Sequence, residues 1–104
     1  MSFRRYEIFL PNRYNDGSPV ESEKFLTTYE ELLVQFGGLS VHPESFQGYW
    51  MHEGERFEDS NRRVFVDVED TAETESSFVR FKQTLTERFR QLDIWIVSYE
   101  IRIT

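Results

Sequence analysis

Two histidines, each close to a glutamate, are the side chains in this sequence best suited to proton transfer near neutral pH. His42 is followed by Pro43 and Glu44, and His52 is followed directly by Glu53. Neighbouring residues at the tip of a hairpin point to opposite faces, so metal ligands would diverge at His52. A solvated turn is expected there, whereas His42 is a candidate base if it borders a cleft.

Other catalytic or ligand-binding patterns are weak. The chain has no cysteine, which excludes disulfides, thiolate metal ligands and a thiol nucleophile. No serine lies in a glycine-flanked elbow, and the glycines at 37–38 follow a helical segment instead of opening one. The acidic run over 67–75 fits the solvated start of a helix better than a divalent-cation site. We therefore expect no cofactor and no metal.

The charge balance bears on the partners. Nineteen acidic against twelve basic residues give a net charge of −7, which opposes general nucleic-acid binding. Arg62, Arg63 and Phe65 follow the basic and aromatic pattern of strand-based RNA readers, but the glycine-containing motif of those readers is missing. The longest apolar run covers only residues 94–97, so we expect no membrane partner and a cytoplasmic location.

The elements that must position these residues begin with a strand and a helix. Residues 3–10 alternate in polarity as a strand does. Ser18 and Glu21 have the spacing of a capping box, which predicts a helix over 19–36. Gly37 stands where a left-handed residue would end that helix.

The stretch over 39–69 predicts a long hairpin. A Glu-Gly pair at 53–54 suits a two-residue turn, and pairing outward from it gives partner numbers that sum to 107. Pro43 lies in the first arm, so we expect an edge strand with a bulge that shifts the pairing beyond it by one residue. The apolar pairs predicted by the unshifted register are Trp50 with Phe57, Val41 with Val66, and Leu39 with Val68.

A second helix and a last strand complete the chain. Asp70 and Glu73 have capping-box spacing and predict a helix over 71–91. The expected buried residues of this helix are Phe78, Phe81, Leu85, Phe89 and Leu92. Residues 94–103 then alternate as a strand.

This order of strand, helix, two strands, helix and strand predicts one ferredoxin-like α+β domain over residues 1–104. A four-stranded antiparallel sheet, in the order 4-1-3-2, would carry both helices on one face. The residues expected beneath the helices are Tyr6, Ile8, Leu10, Val64, Val66, Val68, Val97, Tyr99 and Ile101. The residues expected on the other face are Arg5, Glu7, Phe9, Arg63, Phe65, Asp67, Ile94, Ile96, Ser98, Glu100 and Arg102, with His42, Phe46, Trp50 and Phe57 from the hairpin.

That second face combines a charged end with a large apolar and aromatic area. The alternating signs of Arg5, Glu7, Glu100 and Arg102 predict cross-strand ion pairs. Covering about 400 Å² of the apolar part would contribute about 10 kcal/mol before the costs of association. We expect a homodimer, a small-molecule ligand or a protein partner to cover it, and the alternative is the hairpin folding back over its own sheet.

Three segments carry a resemblance to known proteins: Arg-Tyr-Glu-Ile-Phe-Leu-Pro at 5–11, Phe-Gly-Gly-Leu at 36–39 and Gly-Tyr-Trp at 48–50. With them the chain resembles small bacterial proteins of unassigned activity that have the ferredoxin-like arrangement. In fold it is also similar to the dimeric α+β barrel proteins, in which two such sheets pack face to face around a cavity. That similarity implies either a ligand-binding or oligomerising protein, or a cofactor-independent enzyme.

The sequence thus favours a small, acidic, soluble module that binds or interacts as a homo-oligomer through the helix-free sheet face. The candidate contact residues are Phe9, His42, Trp50, Phe57, Arg63 and Phe65. Tryptophan and arginine are favoured contact anchors, which supports this choice. The alternative is a cofactor-independent enzyme of the barrel type that uses His42 or Tyr49 for proton transfer. A third interpretation is an accessory protein whose sheet face meets a different chain.

Overall fold

The computed structural model describes residues 1–104, which form four strands and two helices. The strands make one antiparallel sheet in the order β2-β3-β1-β4, which confirms the predicted ferredoxin-like α+β topology. The elements are β1 (Phe3–Pro11), α1 (Ser22–Phe36), β2 (Ser40–His52), β3 (Glu55–Glu69), α2 (Ala72–Arg88) and β4 (Ile96–Ile101).

The core lies between the helices and alternate residues of the two central strands. Tyr6, Ile8 and Leu10 of β1 are buried there, as the alternation predicted. The Tyr6 ring stacks on Phe78 of α2 with ring centroids 3.9 Å apart, and Phe36 of α1 stacks on Phe78 at 4.7 Å. These stacked rings hold both helices on the same face of the sheet.

Helix α1 begins three residues later than predicted, because the expected capping serine is already engaged. The Ser18 backbone N–H and hydroxyl both donate to Asp16 Oδ1, so the serine closes a turn instead of capping the helix. Glu21 is the N-cap residue and makes no side-chain cap bond. At the other end the prediction is confirmed, since Gly37 is left-handed with φ 81° and its N–H donates to Leu33 O.

Helix α2 is capped by Thr71 and not by Asp70, the residue implied by the predicted capping box. The Thr71 hydroxyl accepts from Thr74 N, while the Asp70 carboxylate pairs with Arg4 at 3.1 Å. The helix ends at Arg88, and Leu92 is 98% exposed, so the prediction that Leu92 is buried was wrong. Neither helix combines the length and apolar character needed to span a membrane.

The hairpin has the predicted turn, but its register shifts by two residues instead of one. Trp50 lies opposite Phe57, as predicted. Beyond an irregularity between His42 and Phe46, Val41 lies opposite Val64 and not opposite Val66. A shift of two preserves the alternation of side chains, so the hairpin residues keep the faces that the sequence assigned to them.

The two faces of the last strand are exchanged relative to the prediction. Ile96 pairs with Ile8, and Tyr99 pairs with Arg5, so the odd-numbered residues of β4 face away from the helices. Ile94, just before the strand, is only 2% exposed and belongs to the core. Val97, Tyr99 and Ile101 are therefore not beneath the helices. The prediction that the other set faces away from the helices was also wrong; its members are Ile94, Ile96, Ser98, Glu100 and Arg102.

The molecule is elongated. Its extents are 44 × 30 × 24 Å and its radius of gyration is 14.4 Å, against about 13 Å for a compact chain of this length. The cause is the distal part of the hairpin, because β1 ends at Pro11 opposite Asn61 while β2 and β3 continue. We call residues 46–60 the hairpin arm. It projects as a two-stranded ribbon and does not fold back over the sheet.

Candidate interaction surface

The face of the sheet away from the helices, here called the open face, is built by alternate residues of β1, β3 and β4. The register aligns Arg5 with Asp67, Glu7 with Phe65, and Phe9 with Arg63 across β1 and β3. On the other side of β1, Arg5 aligns with Tyr99 and Glu7 with Val97. Charged and apolar side chains therefore share this face.

Phe9, Arg63 and His42 form one row across three strands. Arg63 pairs with Phe9 of β1 on one side and with His42 of β2 on the other. The Phe9 ring also meets Phe46 edge to face, with ring centroids 5.4 Å apart. This contact continues the open face from the sheet onto the base of the hairpin arm.

At the centre of the open face, Glu7 accepts two hydrogen bonds on one carboxylate oxygen. Arg63 donates from 2.6 Å and the Tyr99 hydroxyl donates from 2.7 Å, both to Oε1. Glu7 is buried although it lies on the helix-free side, because its neighbours cover it. Tyr99 is a member of this network that sequence reasoning assigned to the opposite face.

A second ion pair and an aromatic ring complete the centre. Arg5 donates two hydrogen bonds to the Asp67 carboxylate, at 2.7 and 3.0 Å. The guanidinium groups of Arg5 and Arg63 lie 4.2 and 4.9 Å from the centroid of the Phe65 ring. Phe65 is therefore half-buried by arginine side chains, and the four charged groups around it sum to zero.

Opposing effects act on the carboxyl group of Glu7. Burial by itself raises the pKa of Glu7, but hydrogen bonds from Arg63 and Tyr99 and the charges of Arg63 and Arg5 outweigh it, so the pKa lies below its ordinary value. The hydrogen bond to Asp67 is the main reason that the pKa of Arg5 is raised.

The predicted cross-strand ion pairs form between different strands than expected. Arg5 and Glu7 pair with Asp67 and Arg63 of β3, whereas Glu100 of β4 lies on the helix side. Tyr99, which was expected beneath the helices, occupies the position opposite Arg5. The reversed strand therefore makes the β4 side of the open face more aromatic.

Trp95 lies just before β4 and adds to this aromatic area. Its carbonyl accepts from Phe9 N at 3.1 Å, which ties it to the end of the sheet, and its residue surface is 68% exposed. It alternates with the core residues Ile94 and Ile96 and so belongs to the open face. The sequence analysis assigned the more apolar alternating set of this strand (Val97, Tyr99 and Ile101) to the helix side, and Trp95 belongs to the same set, which the structure places on the open face.

The hairpin arm carries its own aromatic pair. Trp50 and Phe57 stack with ring centroids 4.5 Å apart and an interplanar angle of 19°. The Trp50 Nε1–H donates to Asp59 Oδ2 at 2.8 Å, which fixes the orientation of the indole. Of the six predicted contact residues, these two lie on the arm, and Phe9, His42, Arg63 and Phe65 lie on the sheet.

The histidines lie at exposed positions. His42 Nε2 is 3.9 Å from Glu44 and His52 Nε2 is 3.8 Å from Glu53. No three His, Asp or Glu side chains are grouped so that they could hold a metal ion. His42 lines neither the groove of about 860 Å³ between the helices nor the groove of about 390 Å³ beside Tyr49 and Trp50. The arrangement suits binding across a surface.

The fold and this surface define the chain as a ferredoxin-like α+β protein with an extended hairpin. In fold it is similar to the divalent cation tolerance protein (Cut A1) from Thermus thermophilus, with a TM-score of 0.66, 15% identity, and coverage of 98% of this chain and 86% of that chain. It is also similar to the divalent ion tolerance protein CutA1 from Ehrlichia chaffeensis, with a TM-score of 0.65, 8% identity, and coverage of 98% and 83%. No protein-family model and no curated protein sequence matches the chain. At these identities the comparisons establish the fold alone.

Proposed function

We propose that this chain is a homo-oligomeric binding and interaction module in which two copies pack open face against open face. The observation that carries the proposal is the apolar and aromatic surface that the helices leave uncovered, which is interrupted only by the paired charges at its centre. It runs from Trp95 and Val97 at the β4 side, past Phe9 and Phe65, to the aromatic pair of the hairpin arm. Exposed surfaces of this kind mark interaction sites.

The size of the exposed surface supports assembly. A compact monomer of this length exposes roughly 6,200 Å². The single chain exposes 7163 Å², and only 17 of its 104 residues are buried. The surplus is about 1,000 Å², slightly more than one partner contributes to a typical stable interface. A second copy on the open face would bring the exposed area per chain back toward the ordinary value.

The charge arrangement supports the same occupant. Burying an unpaired charge in an interface is costly, but the charges at the centre of the open face are already paired within the chain. Glu7 is matched by Arg63 and Asp67 by Arg5, so no net charge would be buried there. A face of this kind can therefore meet a copy of itself without a partner of opposite charge.

The structural neighbours are named divalent cation and divalent ion tolerance proteins, and this function is not carried over. The carboxylates and histidines of the open face and the hairpin arm do not converge into a group that could hold an ion. The open-face acids Glu7 and Asp67 are instead bound to arginines. The proposal therefore rests on the surface alone, and no step of it involves a metal.

Sedimentation equilibrium tests the proposal. We expect the unmodified chain to dimerise with a Kd in the micromolar range or tighter. Trp95→Glu adds a charge to the open face and should weaken association at least about tenfold. Val79→Glu makes the same kind of change at a 67% exposed position on α2 and should leave association unchanged.

Two results would overturn the proposal. One is a chain that stays monomeric up to about 1 mM, where the weakest specific contacts would already be populated. The other is an equal loss of association in both variants, since the open face would then have no special part. Native mass spectrometry of the same sample would reveal a small molecule that co-purifies on the face in place of a second copy.

A further inference from the structure

Neither edge of the hairpin arm has a neighbouring strand, because β2 is the outermost strand of the sheet and β3 continues past the end of β1. The backbone N–H of Asn12 donates to Ser60 O at 2.9 Å, and strand β1 pairs only as far as Pro11 with Asn61. Residues 55–59 of β3 therefore pair with β2 on one side and with no strand on the other. Outward-facing N–H and C=O groups of such an edge can pair with an added strand.

Proline and a bulge, two ordinary protections against strand addition, are missing at this edge. Proteins usually block free edges with proline, a bulge or charged side chains, lysine above all. Here the bulge and Pro43 lie at the base of β2, on the far side of the hairpin. The segment Glu-Arg-Phe-Glu-Asp at 55–59 is regularly paired along its inner side and is protected by charge alone, which is mostly acidic and so disfavours an acidic strand more than a basic one.

The side chains along the edge alternate acid, aromatic and acid. Glu55, Phe57 and Asp59 occupy alternate positions of β3 and so share one face of the ribbon. Trp50 supports this row from β2, since it stacks on Phe57 and donates to Asp59. An added strand would place its own alternate side chains directly opposite these three.

The arm is also the more acidic part of an acidic chain. Its four acids and one arginine give residues 46–60 a net charge of −3, out of −7 for the whole sequence. The arginine is Arg56, which lies over the Tyr49 ring at 5.0 Å and pairs with Glu58 at 3.1 Å. These groups occupy the opposite face of the ribbon, so the row of Glu55 and Asp59 has no cation of its own.

We propose that residues 55–59 bind a basic, extended segment of another protein as an added β-strand. Its alternate residues would be basic, apolar and basic, with the apolar residue on Phe57 and the cations beside Glu55 and Asp59. The inference rests on the proposed function, because it assigns a partner to the arm of the same interaction surface. The segment would pair with the backbone edge of β3, whereas the proposed dimer would use the open face, and Phe57 is the residue at which the two partners would meet.

Fluorescence anisotropy of a labelled synthetic peptide tests the inference on the full chain. The peptide alternates lysine with leucine, and we expect saturable binding at about 100 µM or below in low salt. Binding should weaken at about 0.5 M salt, where exposed charges are screened. A peptide of the same sequence with N-methylated alternate amides lacks the required donors and should not bind saturably.

Variants in which acidic side chains are replaced by neutral amides locate the binding site. The double change Glu55→Gln and Asp59→Asn keeps the acceptor for Trp50 and should weaken peptide binding about fivefold. The matched control is Glu30→Gln with Glu87→Gln, which removes the same charge from exposed helix positions and should leave binding unchanged. Circular dichroism confirms folding of each variant, and the N-methylated peptide tests the mode of binding on the unmodified chain.

Several results would refute the strand-addition model. They are equal binding of the N-methylated peptide, equal loss in both double variants, or no saturation up to about 1 mM. A change in dimer mass caused by Glu55→Gln with Asp59→Asn would assign the edge to a second copy and would also overturn it. Peptide binding and dimer mass are separate readouts, so failure of this inference is distinguishable from failure of the proposed assembly.

Discussion

Glu7 links stability to the chemistry of the open face at the scale of single residues. It is 9% exposed, and its carboxylate is held by Arg63 and Tyr99 from two neighbouring strands. The network orders the side chains that border Phe65 and holds the Glu7 carboxylate, a charged group, among the apolar residues of the open face. Its energetic value lies in satisfying a buried charge, because an unpaired one would be strongly unfavourable.

Glu7→Gln should lower the free energy of unfolding by about 1 to 2 kcal/mol at pH 7, because Arg63 loses its anionic partner while Tyr99 keeps an acceptor. Urea denaturation measures the change. Glu69→Gln removes a charge from an exposed residue on the same face of the sheet. Glu69 makes no ion pair, so this change should cost less than about 0.5 kcal/mol. Equal effects would contradict a special role for Glu7.

The pH dependence of this difference follows from the lowered pKa of Glu7. Because the folded-state pKa lies below the ordinary value of 4.5, the unfolded state takes up the proton first as pH falls. The stabilisation is therefore present above that value and is lost as pH falls through the folded-state pKa. The difference in free energy of unfolding between the unmodified chain and Glu7→Gln should become smaller in acid. A difference that grows in acid would contradict a lowered pKa of Glu7.

The elements show where local signals were sufficient and where they were not. The helix stop at Gly37 and the turn at 53–54 depend on backbone preferences of a few residues, and both were predicted. The start of α1 was missed because Ser18 had a nearer partner in Asp16. The face of β4 was missed because its more apolar alternating set lies on the open face and not against the helices, so that pairing with β1 and not polarity decided its orientation.

The reversal of β4 predicts a contrast between two adjacent positions. Ile94→Ala removes a side chain that is 2% exposed and should lower the free energy of unfolding by about 2 to 5 kcal/mol. Trp95→Ala, in monomeric conditions, should cost much less, since that residue is 68% exposed. Denaturant titrations of dilute protein measure both changes. A larger loss for Trp95→Ala than for Ile94→Ala would favour the orientation of β4 predicted from the sequence.

The long hairpin dominates the molecule as a whole. A two-stranded ribbon without a third strand or a covering layer is only marginally stable in water. Here the ribbon nevertheless carries exposed rings, with Trp50 at 46% and Tyr49 at 56% exposure. Both the proposed dimer and the proposed strand addition supply the contacts that an isolated ribbon lacks.

Assembly makes thermal stability depend on concentration. If two copies associate through the open face, the Tm of the unmodified chain should rise by several degrees for each hundredfold increase in protein concentration. Differential scanning calorimetry measures this. The Trp95→Glu variant should show a smaller dependence of Tm on concentration, and a concentration-independent Tm in the unmodified chain would speak against assembly.

The sequence by itself determined the order of strands and helices, the interior positions of β1 and β3, and the pairing of Trp50 with Phe57 across the hairpin. These follow from periodicity and turn chemistry, which act over a few residues. Only the tertiary structure decided the face of β4, the two-residue shift in the hairpin and the network of Glu7, Arg63 and Tyr99. Those depend on pairing between residues distant in the chain, where several local patterns fit equally well and the shared core selects one.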